Sequence, residues 1–181
     1  PGSVGQSLAA WIVARGGRLS QLAGRPGSAS VQAFARRSGV PGVETRQLAT
    51  RGEELLLIAV PDGELDGIAS LLAQRPQAAV ALHVSGVAGA AVLAPLRAAG
   101  SAIGGFHPLR AFPTPEAGVE EASGLFFALD GDPPAIELGR RLATAFGATA
   151  AEIPAGQRPI YHLVATLMAG ALSSAAAAID T

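Results

Sequence analysis

The chain has 181 residues, 49% of them apolar, which is enough for the core of one good-sized domain and too many for a disordered chain. Thirteen basic residues are scattered among fourteen acidic ones, for a net charge of −1, so there is no basic stripe for a nucleic-acid backbone. With no cysteine there is no disulfide or thiolate chemistry, and three histidines in unrelated segments make no metal centre.

The chain opens on Gly2-Ser3-Val4-Gly5, the spacing of the second and third glycines of a dinucleotide-binding fingerprint. The first glycine, and the strand that should lead into it, would fall ahead of Pro1, so the expectation is a chain lacking its own first strand. Val4, Leu8, Trp11 and Ile12 then repeat at helical spacing up to Gly16-Gly17. Arg18–Gly24 reads as a short buried strand, and a second helix runs from about Ser28 to a stop at Gly39. Val43–Thr45 suggests another short strand. The unbroken apolar run Leu55–Val60 fits a parallel strand covered on both faces, ended by Pro61-Asp62-Gly63.

Further on, the pattern predicts helix Glu64–Ala73, strand Ala78–Val84, helix Ala90–Ala99 and strand Ser101–Phe106. Strand Gly124–Leu129, helix Ala135–Phe146 and strand Ala151–Ile153 follow, before a final apolar helix from Arg158. Strands alternating with helices of about ten residues indicate an α/β fold of βαβ units with a mostly parallel sheet. The uncharged stretch Pro159–Ile179 is alanine-rich and interrupted by Tyr161, His162, Ser173 and Ser174, so a buried or interface helix is expected rather than a membrane span. Residues 1–11 lack the basic start and apolar run of a signal peptide, and the missing cysteines favour a reducing, cytoplasmic setting.

Glycine-rich backbone at a helix N-terminus suits a pyrophosphate, because free N–H groups and the helix dipole face the anion. About twenty residues on, an NAD site expects an acidic residue for the ribose hydroxyls. That place holds Gly24-Arg25 with Ser28 nearby, and an arginine suits the 2′-phosphate of NADP, leaving NAD as second choice. Val60, Pro61 and Asp62 end a central strand at its carboxyl edge, where ligands bind in open α/β sheets, although Asp62 also suits the cap of the next helix. Ser85 and Gly86 are placed to approach a nicotinamide or substrate. His83 reads either as a catalyst or as a core polar group.

His107 reads as a proton donor lining the site or as a turn-stabilising residue. Arg158, Tyr161 and His162 share one helix face, with Arg158 suited to a substrate carboxylate and His162 or His107 to proton donation. The bland reading of the three is a polar helix start packed on the sheet.

Gly2–Ala9, Ala59-Val-Pro-Asp62, His83-Val-Ser-Gly86, Gly105-Phe-His-Pro-Leu109 with Phe112-Pro113, and Tyr161-His162 occur in one order that resembles the proteins carrying a DUF2520 domain. These are similar to the wider 6-phosphogluconate dehydrogenase-like group, with pyrroline-5-carboxylate reductase and F420-dependent NADP reductases more distant. The resemblance implies a Rossmann-type, mostly parallel sheet with helices on both faces over residues 1–157. It further implies that residues 158–181 begin an all-helical domain that builds a homodimer. The implied activity is NADP-linked hydride transfer to or from a small carbonyl, imine or hydroxy-acid substrate. Two departures matter: Arg158 stands where the family usually has lysine, and Gly170 where it often has asparagine. They leave room for a non-catalytic dinucleotide sensor, or for an interaction module with a vestigial loop. The missing first strand also implies that these 181 residues alone would not fold stably, through unpaired strand edges.

Overall fold

The structure is a computed structural model that describes residues 2–50, 52–110, 112 and 124–167. Pro113, Gly170 and the rest of the final apolar segment lie outside the described residues.

Helix α1 (Ser3–Ala14) starts directly after Gly2 and buries Leu8 and Trp11, with Arg15 at its end. The strand expected over Arg18–Gly24 is shorter, β1 (Leu22–Gly24), because only Leu22 reaches the core. The next helix, α2 (Ala29–Ser38), is capped at both ends by its own sequence. Ser28 Oγ accepts from the Val31 N–H (3.4 Å), and Gly39 closes the helix at φ 71°, a left-handed angle that costs glycine little. Strand β2 (Gly42–Glu44) pairs with β1 in parallel.

The remaining elements build the main sheet: β3 (Leu55–Ile58), α3 (Leu65–Leu72), β4 (Val80–His83), α4 (Ala94–Ala98), β5 (Ala102–Pro108), β6 (Phe126–Gly131), α5 (Pro133–Ala145) and β7 (Thr149–Glu152). A last helix, α6, covers 158–167. Its strands lie in the order β3-β4-β5-β6-β7, parallel at every step except β5 with β6. The expected helix over Ala90–Ala99 splits into a 3-10 turn, Ala90–Leu93, and α4, because Pro95 sits where a longer helix would need its N–H.

Alternation along the strands sends side chains to two cores. Val80, Leu82, Phe106, Phe127 and Leu129 meet α1 and α5 on one face, where Phe106 stacks on Phe127 (ring centroids 4.1 Å) and Trp11 tilts on Phe146. Leu56, Ile58, Ala81 and Ile103 meet α3 and α4 on the other. The expected Rossmann-type, mostly parallel sheet with helices on both faces is therefore the architecture found.

The two sheets do not join. Among the described residues β1 pairs only with β2, and β3 only with β4, so one edge of each strand carries no ladder partner. A cavity of about 830 Å³ lies between the facing edges, with Gly2 and Gly5 on its wall.

Candidate active site

Two adjacent strand ends carry the candidate residues. Ile58 and His83 are partners in the parallel register of β3 and β4, so the segments after them, Val60-Pro61 and Ser85-Gly86, leave the sheet side by side at its carboxyl edge.

The first group surrounds the cavity. Gly2, Gly5, Arg25, Ser28, Val60 and Pro61 all line it, from three different parts of the chain. Much of its wall is the facing edges of β1 and β3, Leu22–Gly24 and Leu55–Ile58, so its volume is largely the gap between the two sheets. No side chain caps the start of α1, and no acidic residue sits in its first turn, so its N-terminal N–H groups face no negative side chain of their own helix. Ser3 and Val4 belong to the same first turn but are not among the lining residues. These features fit a pyrophosphate at this loop.

Asp62 lies exposed and off the cavity wall. Its alternative reading as a helix cap is also not met. Pro61 precedes the 3-10 turn Asp62–Glu64, and α3 starts after Glu64 with no side-chain cap. Ser28 spends its hydroxyl on the α2 cap and on Ser30 Oγ (3.0 Å). Arg25 is 76% exposed and pairs with Glu64, NH2 to Oε1 at 2.7 Å. Glu64 also lines the cavity. Sequence spacing missed Glu64 because it comes from the turn after β3, not from the end of β1.

The second group gathers where α6 meets the ends of β4 and β5. Arg158 is fully buried. It donates from NH1 to the Ser85 carbonyl (2.9 Å) and from NH2 to the Ala128 carbonyl (3.3 Å), and it pairs with Asp130 Oδ1 (2.5 Å). Asp130 Oδ2 accepts from the Ala90 N–H at 2.7 Å. With both terminal nitrogens engaged and no exposed surface, Arg158 is not disposed to hold a substrate carboxylate. It instead ties α6 to β6 and to the Ser85-Gly86 loop. Asp130 was missed for a plain reason: an aspartate at a strand end reads as a turn residue, and only the fold sets it against Arg158.

Gly86 is the pivot of the cluster. A Cβ there would collide with His162 Nδ1 and come within 2.8 Å of His107 Nε2, so only glycine lets both imidazoles close over the loop. The His107 ring lies edge-on to Tyr161 and His162, at 5.9 and 5.6 Å between centroids. His107 Nδ1 is 3.4 Å from the Tyr161 hydroxyl. Burial, the Arg158 charge and the His162 charge push the His107 pKa down to about 4. Burial raises that of Tyr161, which keeps its phenol protonated near neutral pH.

His83 is buried at the end of β4, and its Nδ1 accepts from the Ser85 N–H at 3.2 Å, which places any proton on Nε2. Burial and then Arg158, opposed by Asp130, bring its pKa to about 4. Ser85 is buried, with Oγ accepting from Val87 and Ala88 N–H groups at 3.2 and 2.9 Å, so its hydroxyl shapes the loop. The expected proton donors His107 and His162 are thus found together over Gly86, and His107, like His83, is held neutral near pH 7 rather than titrating near 6.5. Among the described residues no group of three or more His, Asp or Glu side chains is placed to hold a metal, and no helix is long and apolar enough to cross a membrane.

The fold is similar to several solved structures. The Thermotoga maritima protein TM1727 superposes with a TM-score of 0.72 at 21% identity, over 97% of this chain and 63% of that one. BF3122 from Bacteroides fragilis, provisionally named an NADP oxidoreductase, gives 0.82 at 15% identity, over 97% and 66%. A pyrroline-5-carboxylate reductase from Coxiella burnetii gives 0.66 at 15% identity, over 99% and 69%. The chain thus spans about two thirds of the length of these proteins, and the likeness is one of fold. No curated protein matches the sequence. Residues 1–108 match the Rossmann-like domain family, and the chain belongs to it.

Proposed function

We propose that this chain is the cofactor-binding part of an NADP-dependent oxidoreductase that moves hydride to or from a small carbonyl, imine or hydroxy-acid substrate. The observation that carries the reading is the adjacency of two groups. An uncapped glycine loop and an exposed arginine share one cavity, and a tyrosine with two histidines stands at the next strand end. The DUF2520 resemblance and the oxidoreductase names of similar folds support it. NADP is preferred over NAD because Arg25 supplies a guanidinium where a 2′-phosphate would lie.

In this reading Gly2 to Gly5 hold the pyrophosphate with backbone N–H groups, and Val60-Pro61 and Ser85-Gly86 flank the rest of the cofactor. Bound there, the nicotinamide supplies the hydride. The protein's own part is proton handling. Tyr161 donates toward His107 Nδ1, which leaves the His107 N–H on Nε2, facing Gly86 and the cleft. A neutral imidazole can give that Nε2 proton to an oxygen or nitrogen gaining electron density as Nδ1 takes the Tyr161 proton, and it carries no positive charge at rest. Tyr161 is the group behind it in the relay, and His162 lines the other side of Gly86. Arg158 and His83 hold the loop beneath them.

Residues 1–157 form the cofactor unit in this reading, and 158 onward begin a helical dimerisation unit. Ile160, Leu163, Val164 and Leu167 support the latter, since they recur at helical spacing on α6 and are 49–67% exposed.

A second reading, a dinucleotide sensor without turnover, draws on Arg158. Where a lysine would exchange a proton, the guanidinium is buried and permanently charged. The test is a titration of the complete protein with NADPH and NADH by nicotinamide fluorescence, with Arg25→Ala alongside. NADPH binding that weakens about tenfold or more in the variant supports the cofactor assignment, and a carbonyl and imine substrate screen then separates enzyme from sensor. Absence of binding by either dinucleotide sinks both readings.

A further inference from the structure

Arg25 and Glu64 lie on the wall of the cavity that Gly2, Gly5 and Ser28 also line. They reach it from different strand ends, 39 residues apart, and meet at 2.7 Å. The pair does little for the fold: the side chains are 76% and 44% exposed, and exposed ion pairs are screened by water and salt. Its consequence is for what can approach Arg25. A guanidinium binds an oxyanion through a fork of N–H groups, and here NH2, one arm of that fork, is already given to a carboxylate.

A ribose with a 2′-phosphate brings a dianion to that fork, where Glu64 competes for the same N–H groups and repels the phosphate. A ribose with a free 2′-hydroxyl meets no such conflict, and its hydroxyls find an acceptor in the same carboxylate. The acidic group that an NAD site places at the end of the second strand is absent there in this chain. Glu64 brings one to the cavity from the turn after β3 instead.

We propose that Glu64 is the residue that sets cofactor preference in this chain, holding Arg25 so that a 2′-phosphorylated dinucleotide must displace it. The proposal rests on the dinucleotide reading above. It makes the native protein less selective for NADP than Arg25 alone would, with Glu64 as the brake.

The experiment measures Kd for NADPH and for NADH on the complete protein, its Glu64→Gln and Arg25→Ala variants and the double variant. Glu64→Gln is expected to tighten NADPH binding about fivefold, the size of one close charge pair in a water-exposed setting, while NADH binding does not tighten, because its ribose hydroxyls keep only a neutral acceptor. In the Arg25→Ala background the gain is expected to vanish, since there is no guanidinium left to release. An unchanged NADPH-to-NADH ratio in Glu64→Gln overturns the proposal, as does the same gain with Arg25 removed. Failure of every variant to bind either dinucleotide is the different result that overturns the dinucleotide reading, and the proposal with it.

Discussion

Replacing Asp130 by asparagine tests the buried pair that ties the site together. Arg158 is fully buried and Asp130 is 4% exposed, so neither charge has water to fall back on. The two carboxylate oxygens serve two donors, Arg158 NH2 at 2.5 Å and the Ala90 N–H at 2.7 Å. An asparagine has one oxygen and one NH2 group. Whichever way it turns, its NH2 faces a donor, and the guanidinium loses its counter-charge. Breaking one side of a buried pair costs about 3–5 kcal/mol. For a domain of this size that is a fall in Tm of about 6–20 °C.

Thermal unfolding followed by circular dichroism reads this directly. A double variant, Asp130→Asn with Arg158→Met, should cost less than the sum of the two single changes, because the second substitution removes the stranded cation. In Arg158→Met alone, the His107 pKa should move up from about 4 toward the ordinary 6.5, since Arg158 is the second contributor after burial. A Tm shift of less than about 2 °C for Asp130→Asn, or additive single changes, would refute the argument that this pair is both desolvated and coupled.

Stability should also depend on pH with a definite sign. His83 and His107 have folded pKa values of about 4 against 6.5 in the unfolded chain, so the unfolded state takes up protons first as pH falls. Their contribution is intact above about pH 6.5 and is lost between there and about pH 4, by about 2 kcal/mol per histidine from pH 7 to pH 5. Urea unfolding at those two pH values, with His107→Gln as control, checks it, and equal or greater stability at pH 5 would contradict it. On α6, Leu163→Glu with Leu167→Glu should convert a dimer into a monomer in sedimentation velocity, whereas an unchanged mass would remove the helix from the interface.

Much of the fold could be read along the chain, for local reasons. Ser28 and Gly39 mark both ends of α2, and the run Leu55–Ile58 announces a strand covered on both faces. The glycine spacing at Gly2 and Gly5 placed a loop ahead of a helix, and α1 starts there. The histidines and tyrosine of the candidate site were also visible as residue types at strand and helix ends.

What those side chains face was not legible, because partners distant in sequence decide it. Arg158 reads as a hook for a substrate carboxylate at a helix start, and only the packing of α6 against β6 turns it onto Asp130. His107 reads as a group titrating near neutrality, and only its enclosure beside Arg158 and His162 brings it to about 4. Arg25 reads as a free anion hook, until the turn after β3 brings Glu64 to 2.7 Å. Local patterning set the elements through periodicity and caps, whereas charge state and pairing follow from distances between segments, which tertiary structure alone fixes.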